Sequence, residues 1–290
     1  MTGEPRLAGQ TVVVIGGSSG IGMETARQAG QEGASVIITG RHADSLKQAA
    51  AEVGAHDTAA FDATDQAALR TFFADLPGPV DHVLVTGPGP YYAPLAELDH
   101  DRAHEDYDRH VWLAVSVAQQ AVGRVRPGGT LLFMTGSGES RGPGLSLMAA
   151  GTAALPALVA NLALEIAPIR VNLLAAGFVD TPLSASLLGE DLDKRRAELR
   201  ATLPIRRVVG PADVAALAVH LMINTAITGA TIAVDGGQQL LPGGLHGART
   251  ASRHHHRRFP GHRRWPGGRL PRARLGGGGQ RPQDQAVGSR

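Results

Sequence analysis

The sequence predicts a doubly wound α/β fold: a mainly parallel seven-stranded sheet with helices on both faces. Three observations predict it. Short β-branched runs alternate with amphipathic stretches along residues 1–240, in the order that builds parallel strand–helix–strand units. The first unit is broken by a glycine-rich turn, within TVVVIGGSSGIG at Thr11–Gly22. The 290 residues leave about 240 for a single large domain, enough to bury a sizeable core.

Thr11–Ile15 reads as a buried strand, and Gly16 and Gly17 interrupt it. Ser18, Ser19, Gly20, Ile21 and Gly22 then lead into a helix over Met23–Gln31. A strand, a glycine turn and a helix in this order make a dinucleotide site. Glycines let the backbone turn tightly and approach a pyrophosphate, and the free N–H groups of the helix start face the anion with the helix dipole behind them. The second strand, Ser35–Thr39, ends in Gly40-Arg41. An acid at this point would accept hydrogen bonds from the ribose hydroxyls of NAD. Arg41 instead offers a guanidinium for a 2′-phosphate and nothing to repel one, which favours NADP(H) over NAD(H). The alternative is a solvated loop arginine.

The spacing Gly16-x3-Gly20-x-Gly22 resembles the fingerprint T-G-x-x-x-G-I-G of the short-chain dehydrogenase/reductase family, with Ile15 at the leading Thr. The resemblance runs to about Leu240. It implies a Rossmann-like oxidoreductase that uses a nicotinamide cofactor and assembles as a homodimer or homotetramer through its long helices. Helical patterning covers Asp44–Val53, and a short third strand, Thr58–Phe61, ends in Asp62-Ala63, where the resemblance places the adenine contact. Asp65 reads as the N-cap of a helix over Gln66–Ala74, and Asp62 and Asp65 are both compatible with capping. The fourth strand, Val80–Val85, leads into Thr86-Gly87-Pro88-Gly89 where the family has N-N-A-G. Gly87 and Gly89 keep a close backbone approach to the ribose, but the amide side chains are gone and Pro88 removes one N–H. The next loop carries Tyr91 and Tyr92, two of the three tyrosines in the chain.

A long helix is expected over Asp99–Arg124. His110 falls near the family's proton-relay Asn; an imidazole there suits a proton carrier or a packed histidine. Gly129–Thr135 is the fifth strand, and Thr135 or Ser137 falls where the family has its catalytic Ser. The family's Tyr-x-x-x-Lys is missing. Met148 and Thr152 occupy its two positions, on a helix that also contains Pro156 and is expected to kink there. A phenol tuned by a neighbouring ammonium exchanges a proton near neutral pH; Met148 has none to give. The proton must then come from Tyr91, Tyr92, His110 or water, or else the chain is a non-catalytic NADP-binding sensor or partner subunit.

Ile169–Leu174 is the sixth strand. Gly177, Val179 and Thr181 fall in a P-G-x-x-x-T-like segment with Ala176 for Pro, which the resemblance assigns to the nicotinamide; Thr181 before Pro182 equally suits a helix cap. Leu183–Leu203 resembles a mobile substrate-covering segment, with Glu190, Asp191, Asp193, Lys194, Arg195 and Arg196 read as a solvated face. A helix over Pro211–Met222 and a last strand, Thr231–Val234, complete the domain.

The formal net charge of +2 hides two unlike parts. Residues 241–290 hold 11 Arg, no Lys and one acid, Asp284, leaving 17 basic and 25 acidic residues in 1–240, a net of −8. An acidic body argues against nucleic acid as the domain's ligand. The 241–290 segment, rich in Arg, Gly and Pro, is expected to be disordered. Three readings stand for it: an extension with no selected fold, a basic arm for an anion such as nucleic acid, or weak metal binding by His254–His256. The absence of cysteine excludes a thiol nucleophile, a disulfide or a Cys-bound metal, and no metal site is expected in the domain. No apolar run is expected to reach the roughly 18 residues of a membrane span. The N-terminal segment has no secretory pattern, so a cytoplasmic protein is expected.

Overall fold

A computed structural model describes residues 5–87, 89–137 and 142–241. Seven parallel strands form one sheet in the order β3-β2-β1-β4-β5-β6-β7. They are β1 Thr11–Ile15, β2 Ser35–Gly40, β3 Asp57–Ala60, β4 Val80–Val85, β5 Val125–Gly136, β6 Arg170–Ala176 and β7 Thr231–Val234. The helices of the first half are α1 Gly20–Gln31, α2 Ala43–Val53, α3 Gln66–Asp75, α4 His100–Tyr107 and α5 Leu113–Ala121. Those of the second half are α6 Ser146–Glu165, α7 Pro182–Leu188, α8 Leu192–Thr202 and α9 Pro211–Ile223.

Alternating side chains send each central strand into two cores, so these strands read as unbroken apolar runs. On one face Val13, Ile15, Val83, Leu131, Phe133 and Val171 pack with Phe73 of α3, Val117 of α5 and Val159 of α6. On the other, Val12, Val14, Ile38, Leu84, Leu132 and Leu174 pack with Ala26 of α1, Leu46 of α2 and Val214 and Ala218 of α9. Register brings the strand ends level. Ile15 pairs with Thr39 and with Val85; Gly136 pairs with Ala176, which pairs with Val234. Every loop that carries a predicted functional residue therefore leaves from one edge of the sheet.

Three expectations need correction. The helix expected over Asp99–Arg124 starts with Asp99 as N-cap, accepting from the Arg102 N–H at 3.1 Å, but it is not uniform. A π turn, Asp108–Trp112, separates α4 from α5, which stops at Ala121. α6 runs through Pro156 without a break, and packing of Leu155 and Val159 on the sheet holds that turn. The expectation for Leu183–Leu203 needs none: that stretch is built from α7 and α8. Finally, the uncharged run in α6 is long and apolar enough, by length and composition, to cross a membrane. Its packing against the sheet accounts for one face of it as a layer helix. Residues 242–290 lie outside the described residues, as do Pro88 and 138–141.

Two buried polar groups hold the strand starts. Arg170 is 6% exposed, and its guanidinium donates to the carbonyls of Gly128, Leu221, Met222, Asn224 and Ile227 at 2.7–3.3 Å. It thereby satisfies carbonyls that the end of α9 leaves without intrahelical partners. His82, 3% exposed, bonds through Nε2 to Gln10 Oε1 at 2.6 Å, while its Nδ1 has no partner among the described residues. Burial, against a smaller opposing pull from Asp81, pushes its pKa down to about 4 from 6.5. The unfolded chain thus takes up a proton below about pH 6.5 that the native fold refuses until about pH 4. Stability carried by neutral His82 is complete above that window and drains away as pH falls through it, by about 2 kcal/mol at pH 5. Urea unfolding of the wild type and of His82→Gln at pH 7.5 and 5 measures this. The wild type is expected to lose about 2 kcal/mol more than the variant between the two pH values; equal losses would contradict it.

Candidate active site

β1 and β4 are neighbours in the sheet although two strands lie between them in sequence, and the order runs outward from them in opposite directions. A crevice at such a switch point is where open α/β sheets bind ligands. Its floor is the glycine turn. Gly16 has φ +88°, and a Cβ there would stand 2.3 Å from Thr86 Oγ1. That hydroxyl donates to the carbonyls of Ile15 (3.2 Å) and Gly16 (3.0 Å), tying the ends of β1 and β4 together. A Cβ on Gly22 would lie 2.2 Å from the Gly16 carbonyl oxygen, so α1 starts hard against the turn. Met23 N–H, donating to Ser19 O, makes the first intrahelical bond, so the N–H groups of Gly20, Ile21 and Gly22 precede the helix ladder. Ser19, the N-cap, makes no side-chain cap bond. Ser18 lies beside the end of β2: a Cβ on Gly40 would meet its Oγ at 3.3 Å. Arg41 follows, exposed.

Asp62 leaves β3 at the same edge. Its Oδ1 accepts from the Thr64 N–H (2.9 Å) and the Thr64 hydroxyl (2.8 Å). Burial pushes its pKa up, but the two Thr64 bonds and then the charges of Arg41 and Arg109 outweigh it and hold the carboxyl below the ordinary range. Asp65 caps α3, accepting from Ala67 and Ala68 N–H. Ala63 is half-buried, packed on the core beside it.

The far wall comes from the loop after β6. A Cβ on Gly177 would strike Asp235 Cβ at 2.8 Å, and Phe178 N–H donates to Gln238 Oε1 at 3.0 Å, so β7 and the turn after it clamp this loop. Val179, buried, pairs with Val209. Thr181 is the N-cap of α7 in a reciprocal capping box with Ser184. It also crosses the crevice: a Cβ on Gly20 would lie 3.4 Å from Thr181 Cγ2. Of the charges expected to form a solvated face, Glu190, Asp191, Asp193 and Lys194 are exposed, while Arg195 and Arg196 turn toward the loop. Arg196 grips Asp180 with two bonds of 2.8 and 2.9 Å, and the Arg195 guanidinium lies 5.9 Å from the Phe178 ring centroid. Both fasten α8 to the loop.

The chemistry end is built from β5, α6 and the π turn. Thr135 is half-buried. Ser137 is 5% exposed, its N–H donating to Ala176 O at 2.8 Å, and its hydroxyl has no partner among the described residues. Thr152 donates its hydroxyl to Met148 Sδ at 3.3 Å, and a Cβ on Gly136 would lie 3.7 Å from Thr152 Oγ1. Met148 and Thr152 thus sit one turn apart on α6, with Thr152 beside the end of β5. Tyr91 anchors its loop: its Oη accepts from Asp99 N–H at 3.1 Å, and Arg102 covers its ring at 4.6 Å. Tyr92 is 40% exposed; partial burial, then the Asp106 charge, push its phenol above the ordinary range, away from exchange at neutral pH. His110 Nδ1 lies 2.7 Å from the Asp106 carbonyl, and its Nε2 edge faces Gly87. Sequence reasoning passed over Asp106, which is 7% exposed and accepts from Tyr91 N–H at 2.8 Å. Its spacing of four residues from His110 was the available signal.

Residues 15–239 match the family described as enoyl-(acyl carrier protein) reductase. A short-chain dehydrogenase/reductase of Stachybotrys chlorohalonatus (strain IBT 40285) is 30% identical over 257 residues, covering 80% of this chain and 98% of the relative. An NADP-dependent (R)-specific alcohol dehydrogenase of Lentilactobacillus kefiri is 30% identical over 252 residues, covering 80% and 97%. Among solved structures, a short-chain dehydrogenase/reductase from Serratia marcescens superposes with a TM-score of 0.73 at 25% identity, covering 81% of this chain and 99% of that one. A small-chain dehydrogenase in complex with NADPH gives 0.68 at 27% identity, covering 80% and 99%.

The glycine turn makes a stability prediction of its own. Gly22→Ala forces a methyl onto the Gly16 carbonyl and is expected to cost about 1–3 kcal/mol. Gly78→Ala, with open space around it and no positive φ, is expected to be neutral or stabilising by up to about 1 kcal/mol. Urea midpoints of the two variants check the contrast; equal effects would contradict it.

Proposed function

The chain belongs to the short-chain dehydrogenase/reductase family, and on that premise we propose that it binds NADP(H) in the switch-point crevice and moves hydride between that cofactor and a small carbonyl, quinone or enone. The observation that carries this reading is the meeting of the two half-sites, Gly20 at the start of α1 and Thr181 at the start of α7. In this reading Gly16, Ser18, Ser19, Gly20, Ile21 and Gly22 cradle the pyrophosphate. Arg41 takes the 2′-phosphate, and Asp62 and Ala63 take the adenine. Thr86 and Gly87 border the ribose, and Gly177, Val179 and Thr181 orient the nicotinamide. The NADP dependence of one relative and the NADPH in one related structure support the cofactor.

The family's phenol and ammonium positions hold Met148 and Thr152, bonded to each other. Neither transfers a proton at neutral pH. Ser137, whose hydroxyl has no partner among the described residues, and Thr135 are left to meet a substrate oxygen. This favours substrates that need little carbonyl activation, such as quinones and conjugated alkenes. The surroundings are apolar: Tyr92, Leu95, Leu183 and Leu187 are exposed, and a Cβ on Gly89 would touch Leu183 Cδ1, so the tyrosine loop meets α7. Exposed Trp112 beside α5 and Leu164 on α6, together with the uncharged length of α6, support a dimer or tetramer built on these helices. A cytoplasmic, nucleic-acid-independent enzyme fits the acidic domain composition.

Titration with NADPH and NADH, followed by a turnover screen on the same sample, tests the reading. NADPH is expected to bind about tenfold or more tightly than NADH, the size of one charge-assisted contact, and Arg41→Asp to remove the preference. Turnover is expected with menadione or 2-cyclohexenone ahead of simple ketones. Fast ketone turnover with neither of the others would overturn the substrate class. A chain that binds NADPH but turns over nothing until Met148→Tyr and Thr152→Lys are introduced together is a binding scaffold instead.

A further inference from the structure

We propose that His110, oriented by Asp106, is the proton-exchanging group of this site; the proposal rests on the oxidoreductase reading above. Four observations converge on it. A carbonyl only accepts, so the 2.7 Å contact from the Asp106 carbonyl places a proton on His110 Nδ1 and leaves Nε2 as the exchanging nitrogen. The Asp106 carboxylate, itself nearly buried, lies 3.5 Å from the same Nδ1 and is fixed by the Tyr91 N–H, so a positive imidazole has a counter-charge in place. Nε2 and Cδ2 face Gly87, each 3.6 Å from where a Cβ on that residue would stand. A side chain at 87 would close this approach; glycine leaves it open. Gly87 directly follows Thr86, which touches Gly16, so the imidazole edge lies on the crevice side of the π turn.

The π turn explains how a helix residue comes to lie there. Asp108–Trp112 carries one residue more per turn than the α-helix on either side, and π turns recur at functional sites. Val111, the next residue, packs toward α6: a Cβ on Gly151 would lie 4.0 Å from its Cγ2. Gly151 is adjacent to Thr152, so the π turn packs on the stretch of α6 that carries the two positions emptied of Tyr and Lys.

A bound reduced nicotinamide supplies hydride, two electrons and one hydrogen, to an electrophilic carbon and is left oxidised. In a carbonyl the C=O π pair moves onto oxygen; in a conjugated enone the hydride adds at the β carbon, the alkene pair becomes the C=C of an enolate, and the C=O π pair moves onto oxygen. Nε2–H of protonated His110 then gives its proton to that oxygen, the N–H bond breaking as the O–H bond forms. Neutral His110 recovers a proton from water, and the reverse direction uses neutral Nε2 as the base. Tyr91 is committed to the loop, and the raised phenol of Tyr92 is a poorer donor.

Two readouts test this on the full-length chain. In the first, His Cε1–H NMR resonances are assigned with His110→Gln and followed during NADP+ titration of the wild type. The His110 resonance is expected to shift in step with cofactor binding, and no shift would overturn the proposal. In the second, His110→Gln and His110→Ala are compared with the wild type for NADPH affinity, urea midpoint and turnover of 2-cyclohexenone. NADPH affinity is expected within about twofold, with turnover down about 100-fold, the usual worth of a general acid. Added imidazole is expected to restore part of the His110→Ala rate. Unchanged turnover in both folded variants overturns the assignment of His110 and leaves the oxidoreductase reading intact. A wild type that binds NADPH but is inert toward every substrate overturns both.

Discussion

The site depends on a contact that involves no ligand: the Thr86 hydroxyl bridging the carbonyls of Ile15 and Gly16 where β1 meets β4. It forms only because Gly16 has no Cβ, and α1 abuts the turn only because Gly22 has none. Glycines that a cofactor-centred account assigns to the pyrophosphate are thus first required by the protein's own packing. The same geometry that lets α1 sit against the turn leaves three N–H groups at its start ahead of the helix ladder, aimed into a crevice whose opposite wall is Thr181.

Parallel pairing spreads this local arrangement across the sheet. Because the strand ends come level, residues far apart in sequence leave the sheet at one edge: Gly16, Arg41, Asp62, Thr86, Ser137 and Gly177. The clamps behind them are polar and buried. Arg170 binds the end of α9 to the start of β6, and Gln238 holds the loop after β6. Asp180 and Arg196 extend the fastening to α8. Arg170 is the buried charge among them; with all its partners present such a group contributes modest net stability, and removing one partner costs heavily.

Much of this was legible in the sequence, for identifiable reasons. The central strands follow from apolar runs buried on both faces, and glycines mark the turn after the first of them. The crevice followed from the strand–glycine–helix signature at Thr11–Gly22, and Asp65 was readable as a cap because its spacing to the helix start is local. What escaped was long-range or depended on backbone register. The pairing of Asp180 with Arg196 spans 16 residues, so Arg196 read as one more member of a solvated face. The π turn has no periodic signature, yet it decides where His110 points. The break in the family pattern at Met148 and Thr152 was plain from residue identity. Only the fold shows that the Met–Thr pair is bonded to itself and that a histidine with an aspartate behind it faces Gly87 at the end of β4.

The crystal structure of the chain with NADP+ tests the central claim most directly. The pyrophosphate is expected at the N–H groups of Gly20–Gly22, the 2′-phosphate on Arg41 and the nicotinamide between Thr181 and the His110 side of the crevice. A 2′-phosphate turned to solvent away from Arg41, or a nicotinamide on the far side of Thr181 from His110, would contradict it.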